Sequence, residues 1–232
     1  AVPGRFTVKA TVDGQNLVEK VEAVFSNPVV GDMPFEASYA DYRDVGGVKF
    51  PMKIRQTAGG FPALDLTVSE VRPNAPVDIQ VPDAVRQATN PYGRVTSQMV
   101  TEGVWFLAGG SHNSVAIEMK DHVIVVESPL NDDRAGAVIG EVRKLVPSKP
   151  IRYVIASHHH FDHSGGLRAF AAEGVTLITH ESSRAFFERT LAAPATVAPD
   201  RLARSGRKGT VEGVRDKRVL TDGARTVEIH HI

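Results

Sequence analysis

The segment His158-His159-His160-Phe161-Asp162-His163 contains four of the nine histidines in the 232-residue chain, together with one carboxylate. An even distribution would place about a quarter of a histidine in any six residues (9 × 6 / 232). Imidazole nitrogens suit zinc, iron and related ions, and a carboxylate adds a harder oxygen ligand. The composition of this segment therefore predicts a divalent metal site.

The spacing divides these side chains into two pairs. Residues i and i+2 of an extended chain point to the same side, so His158 and His160 can converge on one ion. Asp162 and His163 follow directly and can serve a second ion, since paired catalytic ions lie about 3.5–4 Å apart. A purification-tag remnant or a surface histidine run is the alternative. The segment is internal, contains an aspartate and is followed by a Gly-Gly pair, which favours the metal site.

Predicted elements hold the segment at both ends. An apolar strand over residues 151–156 precedes it, and a helix over 167–172 follows the Gly-Gly pair. Sites in layered α/β folds form at the carboxyl ends of strands, where a loop can aim several side chains at one point. The position of the segment thus supports the chemistry that its composition indicates.

Strands alternate with helices from residue 100 onward, which indicates an α/β layered domain. The helix predicted over 132–146 has apolar residues at helical spacing, Asn131 or Asp132 as its cap, and Pro147 as its stop. The other predicted elements are strands at 104–107, 114–119, 123–127 and 175–179, a helix at 182–191, and a hairpin formed by 219–220 and 226–232.

The first part of the chain has a different pattern, with strands joined by turns. Residues 5–12 alternate polar and apolar side chains as a half-buried strand does, and residues 39–42 and 48–54 flank a turn that contains Gly46-Gly47. Pro73, Pro76, Pro82 and Pro91 then break the regular pattern, and residues 82–98 read as a linker. We therefore predict a β-rich N-terminal domain with its linker at 1–98 and a second domain at 99–232. The first domain has no histidine and no catalytic constellation.

Composition excludes several functions. The 27 basic and 27 acidic residues cancel, so no global field attracts nucleic acid or an anionic membrane. Cysteine is absent, which excludes disulfides, thiolate zinc sites and cysteine nucleophiles. No apolar run approaches the roughly 20 residues needed to span a bilayer. The first residues lack a signal peptide, so we expect a cytosolic chain, a processed chain or a fragment.

A basic stretch and four Gly-Gly pairs have simple interpretations. Residues 193–217 are rich in arginine and lysine, but they lack interleaved aromatic residues and include acidic ones, which favours an exposed loop over a nucleic-acid patch. The Gly-Gly pairs at 46–47, 59–60, 109–110 and 165–166 are predicted to be turns.

The segment resembles the signature His-x-His-x-Asp-His of the metallo-β-lactamase-fold hydrolases, and Ser164-Gly165-Gly166 and the strand at 123–127 extend the resemblance over residues 101–232. The resemblance implies an αββα sandwich of the α/β (α+β) class, here incomplete and preceded by a mostly antiparallel β domain. By similarity, His158 and His160 bind a first metal, and Asp162 and His163 bind a second. Asp162 also acts catalytically by orienting the nucleophile, whereas His159 and Phe161 occupy variable, supporting positions.

The family places a third histidine for the first ion farther downstream. The histidines available for this role are His112, His180, His230 and His231. We interpret His112 and His122 as surface or hydrogen-bonded residues, and His180 as a residue that begins a helix. We predict that neither His230 nor His231 contacts metal, that the ligand lies beyond Ile232, and that the chain is a fragment. Alone, it should bind metal weakly and show no appreciable hydrolysis.

Residues 41–83 resemble, more weakly, the β region that precedes this domain in some bacterial members, as in Tyr42-Arg43-Asp44-Val45-Gly46-Gly47. This implies a periplasmic or secreted protein, with a cytoplasmic location as the alternative.

The resemblance implies a metal-dependent hydrolase that uses metal-activated water on an ester, lactone, lactam or related bond of a small molecule. One or two zinc ions are expected, with iron or manganese as alternatives, and neither nucleic acid nor a membrane span is expected. The alternative function is a metal- or ligand-binding module without turnover. Substrate and oligomeric state stay open.

Overall fold

A computed structural model describes residues 7–88 and 93–232 of the chain. The chain divides into two compact units, one formed by residues up to Asn27 with Asp32–Gln87, the other by Pro28–Gly31 with Ala88–Ile232. The domain boundary predicted between residues 98 and 99 stays a prediction. Arg5 and Phe6 of the first predicted strand, and Pro91 of the predicted linker, lie outside the described residues.

The first unit contains one antiparallel sheet with the strand order β1-β2-β3-β4-β5. Its strands are β1 (Val8–Val12), β2 (Val18–Asn27), β3 (Gly31–Val45), β4 (Val48–Ala58) and β5 (Phe61–Thr67). The predicted hairpin is confirmed, because β3 and β4 pair on either side of Gly46 and Gly47, which have φ values of 62° and 86°. Glycine reaches this left-handed region without a steric penalty. Gly59-Gly60 likewise forms the turn between β4 and β5.

Strand β1 is more exposed than its sequence pattern predicts. The alternation predicts half-burial, but every residue of β1 is exposed, including Val8 at 59% and Val12 at 54%. Among the described strands, β1 lies at the edge of the sheet and pairs with β2. The predicted linker contains a short helix, α1 (Asp83–Arg86).

The second unit is built on a seven-stranded sheet with the order β12-β11-β10-β9-β8-β7-β6. Strands β6 to β9 pair antiparallel, and β9 to β12 pair parallel. The strands are β6 (Thr96–Thr101), β7 (Val104–Ala108), β8 (Ser114–Glu118), β9 (Val123–Val126), β10 (Ile151–Ile155), β11 (Thr176–His180) and β12 (Thr210–Val214).

Helices connect the parallel strands. They are α2 (Asp132–Leu145), α3 (Phe161–Ser164), α4 (Leu167–Ala172), α5 (Glu181–Ala192) and α6 (Arg201–Ser205). Helix α2 begins where predicted, because the Asn131 side chain accepts a hydrogen bond from the Arg134 N–H at 3.0 Å. Its buried face includes Val138, Ile139 and Val142, which join the main core beneath the sheet.

A second core lies on the sheet's other face. Buried Ile124, Ile155 and Ile178 contact a two-stranded antiparallel sheet formed by β13 (Lys217–Thr221) and β14 (Thr226–His230). Helices, a mixed sheet and a further small sheet thus form layers, which confirms the predicted mixed α/β class. Within residues 7–88 and 93–232, no helix combines the length and the apolar character needed to cross a bilayer.

The loop predicted over residues 193–217 is wrong in part, because this segment contains α6 and β12. Leu202 of α6 and Val211 and Val214 of β12 are buried, and β12 extends the sheet beside β11. Asp200 accepts a hydrogen bond from the Ala203 N–H at 2.8 Å and caps α6. In this basic stretch the buried apolar residues are few and widely spaced, so the sequence pattern did not indicate a helix or a strand.

Candidate metal centre

The histidine-rich segment lies at the carboxyl end of β10 and runs into α3. His160 is the N-cap of α3, so His158 and His160 precede the helix, whereas Asp162 and His163 lie within its single turn. The extended backbone at His160 (φ −63°, ψ 145°) brings its ring to 4.8 Å from that of His158, measured between centroids. The predicted convergence of these two side chains is therefore present.

Helix α3 brings the second pair next to the first. The ring of His163 lies 4.1 Å from that of His158, and its Nε2 atom lies 3.7 Å from Oδ2 of Asp162. All four predicted side chains thus lie at one end of the sheet. Their roles as metal ligands stay a prediction.

A fifth side chain, His112, joins this group from the loop between β7 and β8. Its Nε2 lies 3.0 Å from Oδ2 of Asp162. His112, Asp162 and His163 each offer one ligand atom, and these three atoms lie within 4.8 Å of one another. The interpretation of His112 as a hydrogen-bonded residue agrees with this contact, but the sequence did not reveal that the contact is with Asp162. Ser111-His112-Asn113-Ser114 carries no motif that would have done so.

Glu127 supports the group from the end of β9 and was not recognised as a site residue. Its Oε2 lies 2.9 Å from Nδ1 of His163, and its Oε1 accepts a hydrogen bond from the Ser157 N–H at 3.0 Å. The residue has a φ of 67°, which is unusual for a residue other than glycine. A carboxylate at the carboxyl end of a central parallel strand is the signal that could have identified it.

Backbone hydrogen bonds fasten the turn after β9 to the segment. The N–H groups of Ser128 and Leu130 donate to the carbonyls of His163 and Phe161, at 3.0 and 2.9 Å. Gly166 N–H donates to the Ser128 carbonyl at 2.9 Å. The site is thereby held by two neighbouring strand ends at once.

The Gly165-Gly166 pair forms the predicted turn, which joins α3 to α4. Gly165 is the C-cap of α3 with a φ of −63°, and Gly166 is the N-cap of α4. A Cβ atom at Gly165 would overlap the Leu130 carbonyl, and one at Gly166 would approach Ala135 Cβ at 2.6 Å. The pair is required because the backbone passes close to the turn and to α2.

The electrostatic environment favours the protonation states that metal binding needs. Burial lowers the pKa of the His158 imidazole, and the neighbouring His163 and His160 rings lower it further. For Asp162, desolvation is the largest influence and raises the pKa, but the backbone hydrogen bond and the rings of His163, His112 and His160 bring the pKa below its ordinary value. Neutral imidazole and ionised carboxylate are the ligand forms that bind divalent metals.

The donor set fits a divalent metal ion. It consists of imidazole nitrogens and a carboxylate oxygen, without thiolate, which suits zinc, iron and manganese. Nδ1 of His158 lies 3.0 Å from Ser157 Oγ, and Nδ1 of His163 lies 2.9 Å from Glu127 Oε2. Such contacts orient the rings of metal-binding histidines in other proteins.

The other histidines have separate surroundings. His180 is the N-cap of α5, as predicted, and its Nδ1 accepts a hydrogen bond from the Ser182 N–H at 3.3 Å. Its ring stacks on that of His231 at 4.1 Å. His230 Nε2 lies 2.9 Å from Glu228 Oε2. That neither His230 nor His231 binds metal stays a prediction.

A family profile and a relative of known activity each match part of the chain in sequence. The profile described as the metallo-beta-lactamase superfamily matches residues 107–231. The alpha subunit of 2,4-dinitroanisole O-demethylase from Nocardioides sp. (strain JS1661) is 29% identical over 87 residues, which cover 38% of this chain and 26% of that protein. The chain thus spans about a quarter of that relative.

Structural comparisons return metallo-β-lactamases. The FIM-1 enzyme of Pseudomonas aeruginosa, in its mono-zinc form, gives a TM-score of 0.37 at 22% identity and covers 51% of this chain and 50% of that one. A metallo-β-lactamase from Pontibacter korlensis gives 0.43 at 16% identity and covers 59% of this chain and 60% of that one.

Proposed function

The chain belongs to the metallo-β-lactamase superfamily, and on this premise we propose that it is a metal-dependent hydrolase of a small molecule. The observation that carries the proposal is the convergence of His158, His160, Asp162 and His163 at the end of β10. The His158 and His163 rings are 4.1 Å apart, and the Asp162 carboxylate lies 3.7 Å from His163 Nε2. We assign His158 and His160 to a first ion, and Asp162 and His163 to a second.

The proposed metal is zinc, with iron or manganese as alternatives. A bound divalent ion acidifies a water molecule and polarises the bond that is attacked. The residues of the chain would arrange this chemistry. The ionised Asp162 carboxylate would accept a hydrogen bond from the water and so orient it toward the substrate. Glu127 would keep the His163 ring in place by accepting its Nδ1 proton in a hydrogen bond.

We propose that the bond is an ester, lactone, lactam or related bond. A cavity of about 240 Å³ lies beside Ser157, between the ends of β10, β11 and β14, and includes His180 and His231 in its lining. The named activity of the Nocardioides relative adds aryl methyl ethers to the substrates worth testing.

The test is a substrate panel with the full-length protein reconstituted with zinc, iron or manganese. We expect hydrolysis of at least one member, a rate that falls as the pH drops below about 7, and loss of activity in Asp162→Asn. A protein that binds metal but hydrolyses nothing in the panel would contradict the proposal. That result would instead favour a metal- or ligand-binding module without turnover.

We further propose a periplasmic or secreted location, on the resemblance of residues 41–83 to the β region of bacterial members. Fractionation of the producing cells tests this, since recovery in the cytoplasm alone would contradict it.

A further inference from the structure

His112 lies outside the histidine-rich segment but points a ring nitrogen into the cluster. Its Nε2 lies 3.0 Å from Asp162 Oδ2, and its ring meets that of His163 edge to face, with centroids 5.6 Å apart and planes at 78°. The Asp162 oxygen therefore lies near two histidines, His112 from the loop between β7 and β8 and His163 from α3. Two imidazoles and one carboxylate form a common ligand set for catalytic divalent ions and leave positions open for water.

The two histidines are oriented in the same way. Nδ1 of His112 lies 2.8 Å from Ser111 Oγ, just as Nδ1 of His163 lies 2.9 Å from Glu127 Oε2. In both rings Nδ1 has a polar partner, and Nε2 faces Asp162. Metal-binding histidines characteristically use the outer nitrogen in this way.

A buried arginine fixes the loop that carries His112. Arg134, on the first turn of α2, is fully buried, and its guanidinium donates to the backbone carbonyls of His112 at 3.0 Å and Arg94 at 2.9 Å. Of the ion pairs formed by residues 7–88 and 93–232, none involves Arg134, and its Nε lacks a hydrogen-bond partner there. Burying a cation without a carboxylate is costly. The hydrogen bond from Arg134 to the His112 carbonyl is one of the contacts that offset this cost.

We propose that His112 is a third protein ligand of the ion held by Asp162 and His163, and that Arg134 is the residue that positions it. The inference rests on the proposed function, because it assigns a ligand to that metal centre. It gives the second ion three protein ligands within this chain, so the chain binds at least one ion more firmly than the histidine-rich segment alone would.

The test is a titration of the metal-free protein with Co²⁺, followed by the visible absorption of the bound ion. His112→Ala should weaken the binding of one equivalent by at least about tenfold and change its spectrum. His230→Ala is the matched control, since it removes an exposed histidine that also contacts a carboxylate, and it should leave both quantities unchanged.

Arg134 is tested by the same readout. Arg134→Met should weaken the binding of the same equivalent of Co²⁺. Arg134→Lys should restore part of that affinity, because an ammonium group can still donate to a carbonyl. Ser111→Ala, at an exposed position, should also weaken that equivalent, and it tests the orientation of His112 even if Arg134→Met fails to fold.

The outcomes separate the two proposals. A wild-type protein that binds no Co²⁺ would overturn the proposed function and the assignment of His112 with it. A wild-type protein that binds Co²⁺ with the same affinities and spectrum as His112→Ala would overturn the assignment of His112 alone. Full affinity in Arg134→Met would overturn the positioning role.

Discussion

Glu127 and His163 are in contact across 36 residues of sequence, with Oε2 of the glutamate 2.9 Å from Nδ1 of the imidazole. The same carboxylate accepts a hydrogen bond from the Ser157 N–H. One side chain at the end of β9 therefore orients a ring on α3 and also holds Ser157, the second residue after β10. The proposed ligands are thus supported by a neighbouring strand, and not only by their own segment.

The assignment of ligands to two ions predicts different losses in different variants. The double substitution His158→Ala/His160→Ala should abolish binding of the first ion, because it removes both ligands that the chain supplies to it. Asp162→Asn should chiefly weaken the second. Metal analysis after equilibrium dialysis measures both effects, with His159→Ala as the control from the same segment. Full stoichiometry in the double variant would refute the assignment.

Loss of the Glu127 charge should reduce metal affinity without removing a ligand. Glu127→Gln keeps the size of the side chain but weakens its hydrogen bond to His163, and outer contacts of this kind are worth about 10–100-fold in affinity. Competition with a chromophoric chelator measures the change. Glu188→Gln, which removes one partner of an exposed ion pair on α5, should have no effect. Equal affinities for Glu127→Gln and the wild type would exclude the orienting role.

Two glycines should respond to alanine in opposite directions. A Cβ atom at Gly109 would overlap the Arg134 guanidinium, so Gly109→Ala should lower the free energy of unfolding by about 1–3 kcal/mol. A Cβ atom added at Gly140, in the interior of α2, would meet no other side chain or loop within 4 Å. Gly140→Ala should therefore raise that free energy by about 0.5–1 kcal/mol. Urea denaturation compares them, and a neutral Gly109→Ala would contradict the close packing described for Arg134.

Asp222 should contribute stability that depends on pH. The N–H groups of Arg225, Lys120 and Ala224 donate to its carboxylate and lower its pKa to about 2. Because the folded-state pKa lies below the unfolded value of about 3.9, the contribution is complete above about pH 4 and is lost as the pH falls through 2. Asp222→Asn should therefore be destabilised relative to the wild type at pH 7, and this difference should disappear near pH 2. Urea denaturation across this range is the measurement, and a constant difference would contradict the shift.

Much of the second unit could be predicted because its elements are local. Neighbouring residues determine the apolar run of β10 and also the cap and apolar spacing of α2. Both elements lie close to their predicted positions. The same holds for the histidine-rich segment, whose four side chains are neighbours in sequence. The elements α6 and β12 escaped prediction because their buried residues, Leu202, Val211 and Val214, are widely spaced in a polar stretch.

The supporting residues of the site could not be predicted, because they depend on contacts between distant parts of the chain. Glu127 and His112 reach the cluster only through the order of the strands in the sheet. Arg134 is an unremarkable helix residue in the sequence, and its burial follows from the approach of two loops to α2. No pattern of neighbouring residues records these distances.

The fastening of the turn after β9 to α3 has a consequence for the kinetics of folding. Its hydrogen bonds join residues that meet only after β9 and β10 have paired, and this parallel pairing requires the crossover through α2 to close first. We therefore predict that the cluster is completed late, after the barrier to folding has been crossed. Zinc should then slow unfolding while leaving the refolding rate almost unchanged, as stopped-flow measurements with and without the metal would reveal.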